Sequence, residues 1–134
     1  MKHSCELKVR TYECDGYNHV NNANYLNYLV YARMEFLNDA GFDFSRFTEA
    51  GYGLIVAKVC IEYKTPAVFG DVLTITTWSK RHRGPYGVFQ QEIRKAGLLA
   101  AKAEVTWFSV DASGRPVPLP PEYRLSELTP DPSD

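Results

Sequence analysis

Six short polar side chains lie close together just before the longest helical pattern in the sequence. They are Asp15, Asn18, His19, Asn21, Asn22 and Asn24. Asn and Asp are good helix N-caps, but capping accounts for one or two such residues and not for six. A carboxylate and an imidazole beside a helix N-terminus could act on a substrate that develops negative charge, because the first N–H groups of a helix have no partner within it.

A long helix is predicted directly after this polar loop. Apolar residues recur at three- and four-residue steps from Leu26 onward, and Gly41 stands where a left-handed residue would close a helix. The pattern predicts a helix from about Asn22 to Ala40, roughly 28 Å long at 1.5 Å per residue. Its other sides carry aromatic residues as well, so we expect a sheet to cover more than one face.

Strand patterns fill most of the remaining chain. Polar and apolar residues alternate from Cys5 to Tyr12 and again from Leu54 to Tyr63, where Ile55, Ala57 and Val59 are expected to point inward. Segments rich in β-branched and aromatic residues, separated by turns, predict three more strands at residues 71–81, 86–95 and 98–110.

One long helix over a mainly antiparallel five-stranded sheet is the arrangement of the hotdog fold, an α+β architecture. We therefore predict a single hotdog domain over residues 1–128. The Pro-rich end, residues 129–134, is predicted to be a disordered tail. A sheet of this size leaves unpaired edges, so a homodimer or homotetramer is expected.

Composition and charge exclude several classes of protein. The chain has 134 residues and a net charge of −1, which fits one domain without a general attraction to nucleic acid or to acidic membranes. Its cysteines, Cys5, Cys14 and Cys60, are odd in number and lack metal-ligand spacing, so we expect no metal site, no disulfide framework and a cytoplasmic location. No signal-peptide or membrane-span pattern is present in the sequence.

The stretch DGYNHVNNANY, from Asp15 to Tyr25, resembles the hotdog acyl-CoA thioesterases of the 4-hydroxybenzoyl-CoA thioesterase group. The resemblance continues through LNYLVYARMEFL and through VCIEYKTPAVFGDVLTI at residues 59–75. It implies that Asp15 is the catalytic carboxylate and that the backbone N–H near Asn22 polarises the thioester carbonyl. Coenzyme A is then part of the substrate, and no separate cofactor is implied.

The chemistry of thioester cleavage agrees with these roles. Free N–H groups and the dipole at a helix N-terminus stabilise the oxyanion that develops on the carbonyl. A carboxylate on the approaching loop can attack the carbonyl or activate water, and the sequence leaves both routes open. A plain turn or capping role is the alternative for Asp15, and capping is the alternative for Asn21, Asn22 and Asn24.

Two related groups differ from this chain at neighbouring positions. The plant acyl-carrier-protein thioesterases have an Asn where Tyr17 stands and an acidic residue near Pro66, and bacterial short-chain thioesterases have a His in place of Asn22. The resemblance therefore assigns catalytic roles to Asp15, to the backbone of Asn22, and to His19 as a helper. A loop histidine hydrogen-bonded to the backbone is the alternative for His19.

One basic cluster lies at the predicted turn between the third and fourth strands. It consists of Lys80, Arg81, His82 and Arg83. Lys80, Arg81 and Arg83 are candidates for binding the phosphates of coenzyme A, and a solvated hairpin end is the alternative. The cluster is too small to indicate nucleic-acid binding.

The sequence therefore predicts a hydrolase acting on an acyl-CoA or acyl-carrier-protein thioester. The alternatives are a hotdog acyl-CoA hydratase or dehydratase and a non-catalytic acyl-CoA binding module. An acyl pocket could be lined by Tyr25, Tyr28, Leu29 and Tyr63. These residues could equally belong to the core, which leaves the acyl preference open. Glu35, in the middle of the helix, is interpreted as a helix-face or interface residue.

Overall fold

The computed structural model describes residues 1–132 of the chain. It contains a long helix α1, Asn22–Asp39, a short helix α2, Phe44–Glu49, and five strands. The strands are β1 (His3–Lys8), β2 (Gly53–Tyr63), β3 (Val72–Arg83), β4 (Tyr86–Lys95) and β5 (Leu98–Val110). The last two positions of the predicted disordered tail, 133 and 134, lie outside the described residues.

The strands form one antiparallel sheet in the order β1-β3-β4-β5-β2. Consecutive strands β3, β4 and β5 are joined by tight turns, whereas β1 and β2 each follow or precede a helical segment and lie at the two edges. The prediction of an α+β hotdog fold with a five-stranded antiparallel sheet is confirmed.

The predicted alternation along β2 is wrong in the first half of the strand. Ile55, Val56 and Ala57 are all exposed, because the register with β5 shifts between Val56 and Lys58 and the strand has a neighbour on one side only. Val59 and Ile61, beyond the shift, are partly buried against the core as expected.

The first strand ends earlier than predicted. Its ladder with β3 stops at Lys8, and Thr11–Glu13 forms a short 3₁₀ turn instead of extended strand. The carboxylate of Glu13 accepts a hydrogen bond from the backbone N–H of Arg10 at 2.8 Å, which closes this turn.

The core consists of two clusters that share α1. The loop-end core surrounds Tyr25, Tyr28, Leu29 and Ala32, and the far-end core surrounds Phe36 and Leu37. The small residues Ala100, Ala101 and Ala103 of β5 belong to the loop-end core, as predicted for a strand that lies under the helix. The far-end core also holds the aromatic residues of α2, β4, β5 and the C-terminal segment.

Two edges of this architecture carry exposed apolar side chains. On β2 they are Ile55, Val56 and Tyr63, and on α1 they are Leu26, Val30, Tyr31 and Met34. No helix within residues 1–132 is long and apolar enough to cross a lipid bilayer.

Candidate active site

Asp15 lies in a loop that is closed at its base by a β-bridge between Cys14 and Val20. The N–H of Asp15 donates to the carbonyl of His19 at 2.8 Å, and the N–H of Asn18 donates to the carbonyl of Asp15 at 3.0 Å. Asn18 has a φ of +59°, a left-handed conformation that asparagine tolerates better than most residues. The loop is therefore a hydrogen-bonded turn with a fixed shape.

One oxygen of the Asp15 carboxylate holds this turn and the other is free. Oδ1 accepts hydrogen bonds from the N–H groups of Tyr17 at 2.9 Å and His19 at 3.2 Å. Among the hydrogen bonds of residues 1–132, Oδ2 accepts none. The side chain thus stabilises the turn through Oδ1, and Oδ2 remains available to a substrate or a water molecule.

The start of α1 leaves one backbone donor unused. The side chain of Asn21 accepts from the N–H of Ala23 at 2.9 Å, and the carbonyl of Asn21 accepts from the N–H of Asn24 at 2.9 Å. The N–H of Asn22 has no acceptor among the described residues. Because it is a first-turn N–H at the positive end of the helix dipole, it can stabilise an oxyanion.

The asparagines of the loop therefore divide into different roles. Asn21 is the N-cap, and the side-chain amide of Asn24 donates to the carbonyl of Glu13 at 3.0 Å. Asn18 forms the turn. Asn22 is the one of these residues that lines the cavity beside Asp15.

Asp15, His19 and Asn22 line one cavity of about 340 Å³. Tyr63 at the end of β2 and the segment that follows it, residues 64–66, line the same cavity. The structure thus brings together the three catalytic residues that the sequence predicts. The cause is topological, because the end of β2 and the polar loop both lie beside the N-terminus of α1.

Tyr25 and Tyr63 form the aromatic part of this cavity. Their rings lie edge to face with centroids 5.2 Å apart. The hydroxyl of Tyr25 accepts from the N–H of Ala67 at 3.2 Å, and burial raises the pKa of this phenol above its ordinary value. Tyr28, in contrast, lies in the loop-end core and does not line the cavity.

His19 contributes to the turn through its backbone. Its N–H donates to Asp15, its carbonyl accepts from Asp15, and it forms a β-bridge with Val68. The ring is exposed and, among the described residues, makes no hydrogen bond to the Asp15 carboxylate. A direct role of the imidazole in the reaction stays a prediction.

No residue of the basic cluster lines this cavity within one chain, and Arg83 at the end of the cluster lies far from it. The register places Arg83 opposite Tyr86, Tyr86 opposite Phe108, and Phe108 opposite Ile55, at the end of the sheet that lies away from Tyr63. Eight residues along β2 separate the two ends, about 26 Å at 3.3 Å per residue. Binding of coenzyme A by the cluster stays a prediction.

The members of the cluster have other partners nearby. Lys80 forms an ion pair with Glu104, and the ring of His82 packs against Trp107 at a centroid distance of 5.2 Å. Burial, followed by the positive charge of Arg124, lowers the pKa of His82 below its ordinary value.

Lys64 is a cavity residue that the sequence reasoning missed. Its ammonium group is 3.0 Å from the carboxylate of Glu62, and its side chain is about half exposed at the cavity wall. No local pattern singles it out, since its position depends on where β2 ends relative to α1.

Within residues 1–132, no group of three or more His, Cys, Asp or Glu side chains could hold a metal ion.

Comparison with known proteins places the chain among thioesterases. The family model of the thioesterase-like superfamily matches residues 9–125. The long-chain acyl-CoA thioesterase FadM of Escherichia coli is 36% identical over 108 residues, which cover 79% of this chain and 81% of that protein. A chloroplastic acyl-acyl carrier protein thioesterase of Arabidopsis thaliana is 31% identical over 127 residues, which cover 91% of this chain and 65% of that protein, just under two thirds of its length.

A solved structure agrees with the architecture described above. The crystal structure of a hypothetical protein from Thermus thermophilus superimposes with a TM-score of 0.87 at 28% identity. The superposition covers 93% of this chain and 98% of that one.

Proposed function

Since the chain belongs to the thioesterase-like superfamily, we propose that it hydrolyses acyl-CoA or acyl-carrier-protein thioesters with Asp15 as the catalytic carboxylate. Its sequence similarity to these thioesterases identifies the chain as a thioester hydrolase. One observation carries the assignment of residues: the free Oδ2 of Asp15 and the free N–H of Asn22 belong to residues that line the same cavity.

The proposed reaction uses these two groups on the thioester carbon. The carbonyl oxygen accepts a hydrogen bond from the Asn22 N–H, which lowers the energy of the oxyanion as it forms. In the general-base route, Asp15 takes a proton from water, the new C–O bond forms, the C–S bond breaks, and the proton passes to the departing thiolate. In the nucleophilic route, an Asp15 oxygen attacks the thioester carbon, the C–S bond breaks and the thiolate leaves. Water then hydrolyses the mixed anhydride, which releases the acid, regenerates the carboxylate and supplies the proton that the thiolate takes up.

The names of the relatives support this substrate class. One relative is named a long-chain acyl-CoA thioesterase and the other an acyl-acyl carrier protein thioesterase. Both substrates present a thioester on a phosphopantetheine arm, so the cavity described here suits either. Membership of the narrower 4-hydroxybenzoyl-CoA thioesterase group, an acyl preference and a cytoplasmic location are not needed for this proposal.

A homodimer is part of the proposal. The unpaired edge of β2 exposes Ile55 and Val56, and α1 exposes Leu26, Val30 and Met34. An exposed apolar edge strand is a template for pairing with another chain, and a second copy is the partner that is always present.

Lys64 is a cationic residue that lines the cavity. It is therefore a nearer candidate than the basic cluster for contact with the negatively charged coenzyme A or acyl carrier protein.

The proposal is tested by comparing Asp15→Asn with Asp111→Asn. Asp111 lies in a turn of the same construction, in which its Oδ1 accepts from the N–H groups of Ser113 at 2.9 Å and Arg115 at 3.0 Å. The N–H of Asp111 donates to the carbonyl of Arg115, and the carbonyl of Asp111 accepts from the N–H of Gly114. The N–H and the carbonyl of Asp15 make the same two kinds of bond, with His19 and Asn18. Asp111 is thus a matched control for the structural part of the Asp15 role.

Hydrolysis of a panel of acyl-CoA and acyl-carrier-protein thioesters is measured by release of the free thiol. We expect kcat to fall by about 10³-fold or more in Asp15→Asn, since a catalytic carboxylate is removed, and to stay near the wild-type value in Asp111→Asn. Equal activity of the two variants would contradict the assignment. A wild-type protein that binds coenzyme A without hydrolysing any thioester would indicate a binding module, and water addition to an enoyl-CoA would indicate a hydratase.

A further inference from the structure

Glu13 is a buried carboxylate two residues before Asp15. Its exposed fraction is 7%. Its Oε1 accepts hydrogen bonds from the hydroxyl of Tyr28 at 2.9 Å and from the N–H of Arg10 at 2.8 Å, and its Oε2 accepts from the guanidinium of Arg10 at 3.3 Å. A buried carboxylate with this many donors is held in one position.

The main chain of Glu13 also contacts the start of α1. Its carbonyl accepts from the N–H of Asn21 at 2.8 Å and from the side-chain amide of Asn24 at 3.0 Å. Asn21 is the N-cap, and its neighbour Asn22 supplies the free N–H of the cavity. One residue therefore contacts the first turn of α1 through its backbone and the next turn, at Tyr28, through its side chain.

We propose that Glu13, together with Tyr28, sets the position of the Asp15 carboxylate relative to the N–H of Asn22, and that it is a positioning residue for thioester hydrolysis. This inference rests on the proposed function. The loop that carries Asp15 begins directly after Glu13, and the other end of that loop continues directly into α1. Among the described residues, the hydrogen bonds that join residues 13–15 to α1 all involve Glu13, whereas the second half of the loop is bonded to residues 67 and 68.

The size of the effect follows from the geometry of catalysis. A displacement of about 1 Å between reacting groups can cost about 100-fold in rate, even when the displaced residue touches no substrate. Burial, the hydrogen bond to Glu13 and the charge of Glu13 all raise the pKa of Tyr28 well above its ordinary value. The phenol therefore remains a donor to Glu13 throughout the pH range in which a thioesterase is assayed.

The first test removes the hydroxyl with Tyr28→Phe and compares it with Ser79→Ala. Ser79 is a matched control, because its hydroxyl is buried and donates to the carbonyl of Leu128 at 2.7 Å in another part of the fold. We expect Tyr28→Phe to lower kcat by about 10- to 100-fold with KM within about twofold. Ser79→Ala should lower Tm by a similar amount and leave kcat unchanged.

The second test replaces Glu13 itself. Glu13→Gln retains an oxygen that can accept from Tyr28 and Arg10, so it should keep kcat within about threefold of the wild type, whereas Glu13→Leu should lose at least as much as Tyr28→Phe. Circular dichroism and Tm identify a variant that has not folded. If Glu13→Leu does not fold, the comparison of Tyr28→Phe with Ser79→Ala decides the proposal.

The third test separates positioning from a general loss of structure. In an Asp15→Asn background, Tyr28→Phe should cause no further loss of kcat, because the group that it positions is already absent. The proposal is overturned if Tyr28→Phe lowers Tm but not kcat, or if its effect on kcat is undiminished in the double variant. A failure of the proposed function is seen separately, as retained hydrolysis in Asp15→Asn alone.

Discussion

The hydroxyl of Tyr63 donates a hydrogen bond to the backbone carbonyl of Asn22 at 3.1 Å. This bond joins the end of the edge strand β2 to the first residue of α1. The carbonyl of Asn22 is therefore fixed from the strand side, while its N–H remains without a protein acceptor and lines the cavity. The oxyanion donor of the proposed reaction is thus held by the sheet as well as by the helix.

Asn22→Pro should abolish most of the activity without breaking the helix. Proline lacks the N–H, and it is well tolerated at the first position of a helix. The preceding Asn21 has φ −58° and ψ 135°, which suits a residue before proline. We expect kcat to fall by about 10²- to 10³-fold with little change in Tm, as measured by steady-state kinetics and thermal unfolding.

Asn22→Ala is the control for that experiment, because it removes the side chain and keeps the N–H. It should retain most of the wild-type kcat. If the alanine variant loses as much activity as the proline variant, the side chain and not the backbone carries the effect.

Acid should destabilise the protein through His82. Burial and the charge of Arg124 lower the pKa of His82 in the folded state, so the unfolded chain binds a proton more readily. The stability that the neutral ring provides is complete above about pH 6.5 and is lost as the pH falls below that value. The free energy of unfolding, measured with urea, should decrease between pH 7.5 and pH 5.5 in the wild type. The decrease should be smaller in His82→Gln.

Gly87→Ala should destabilise the sheet by steric overlap. Gly87 pairs with Trp107 of β5, which is a buried residue. A Cβ at Gly87 would lie 2.3 Å from the ring of Trp107. Overpacking of this kind costs about 1–3 kcal/mol, so Tm should fall by several degrees. Gly16→Ala, where nothing lies within 4 Å of the new Cβ, is the control and should leave the free energy of unfolding almost unchanged.

A charge on the edge of β2 should weaken the proposed dimer. Val56 is 46% exposed, and Val56→Glu places a carboxylate on the edge that is proposed to meet a second copy. Sedimentation at a series of concentrations should show a higher dissociation constant than for the wild type. Leu98→Glu, at an exposed apolar position at the start of β5, should have no such effect. A wild-type protein that is monomeric at micromolar concentration would contradict the proposal.

The sequence predicted the features that depend on neighbouring residues. The start of α1 at Asn22 follows from local periodicity, and the positions of β3 to β5 follow from their β-branched and aromatic residues and the turns between them. Asp15 was found because its loop precedes the helix directly and resembles the thioesterase motif. Features that depend on pairing between distant strands were not found. These features are the cavity position of Lys64, the register shift in β2 and the distance of Arg83 from the cavity, and they depend on which strands pair and in which register.

The roles of the asparagines needed the hydrogen-bond pattern itself. A helix cap and an oxyanion donor occupy the same stretch of chain, so residue type alone does not separate Asn21 from Asn22. The structure separates them because the acceptors of Asn21 are occupied by Ala23 and Asn24, whereas the N–H of Asn22 is left over.

The division of the core into two clusters has a consequence for how this protein can change over generations. The proposed chemistry lies beside the loop-end core, whereas Phe42, Phe47, Trp107 and Tyr123 pack in the far-end core. We therefore expect substitutions in the far-end core to change the stability of the protein more than its activity. Lineages that diverge in growth temperature should therefore differ in these aromatic residues before they differ around Asp15.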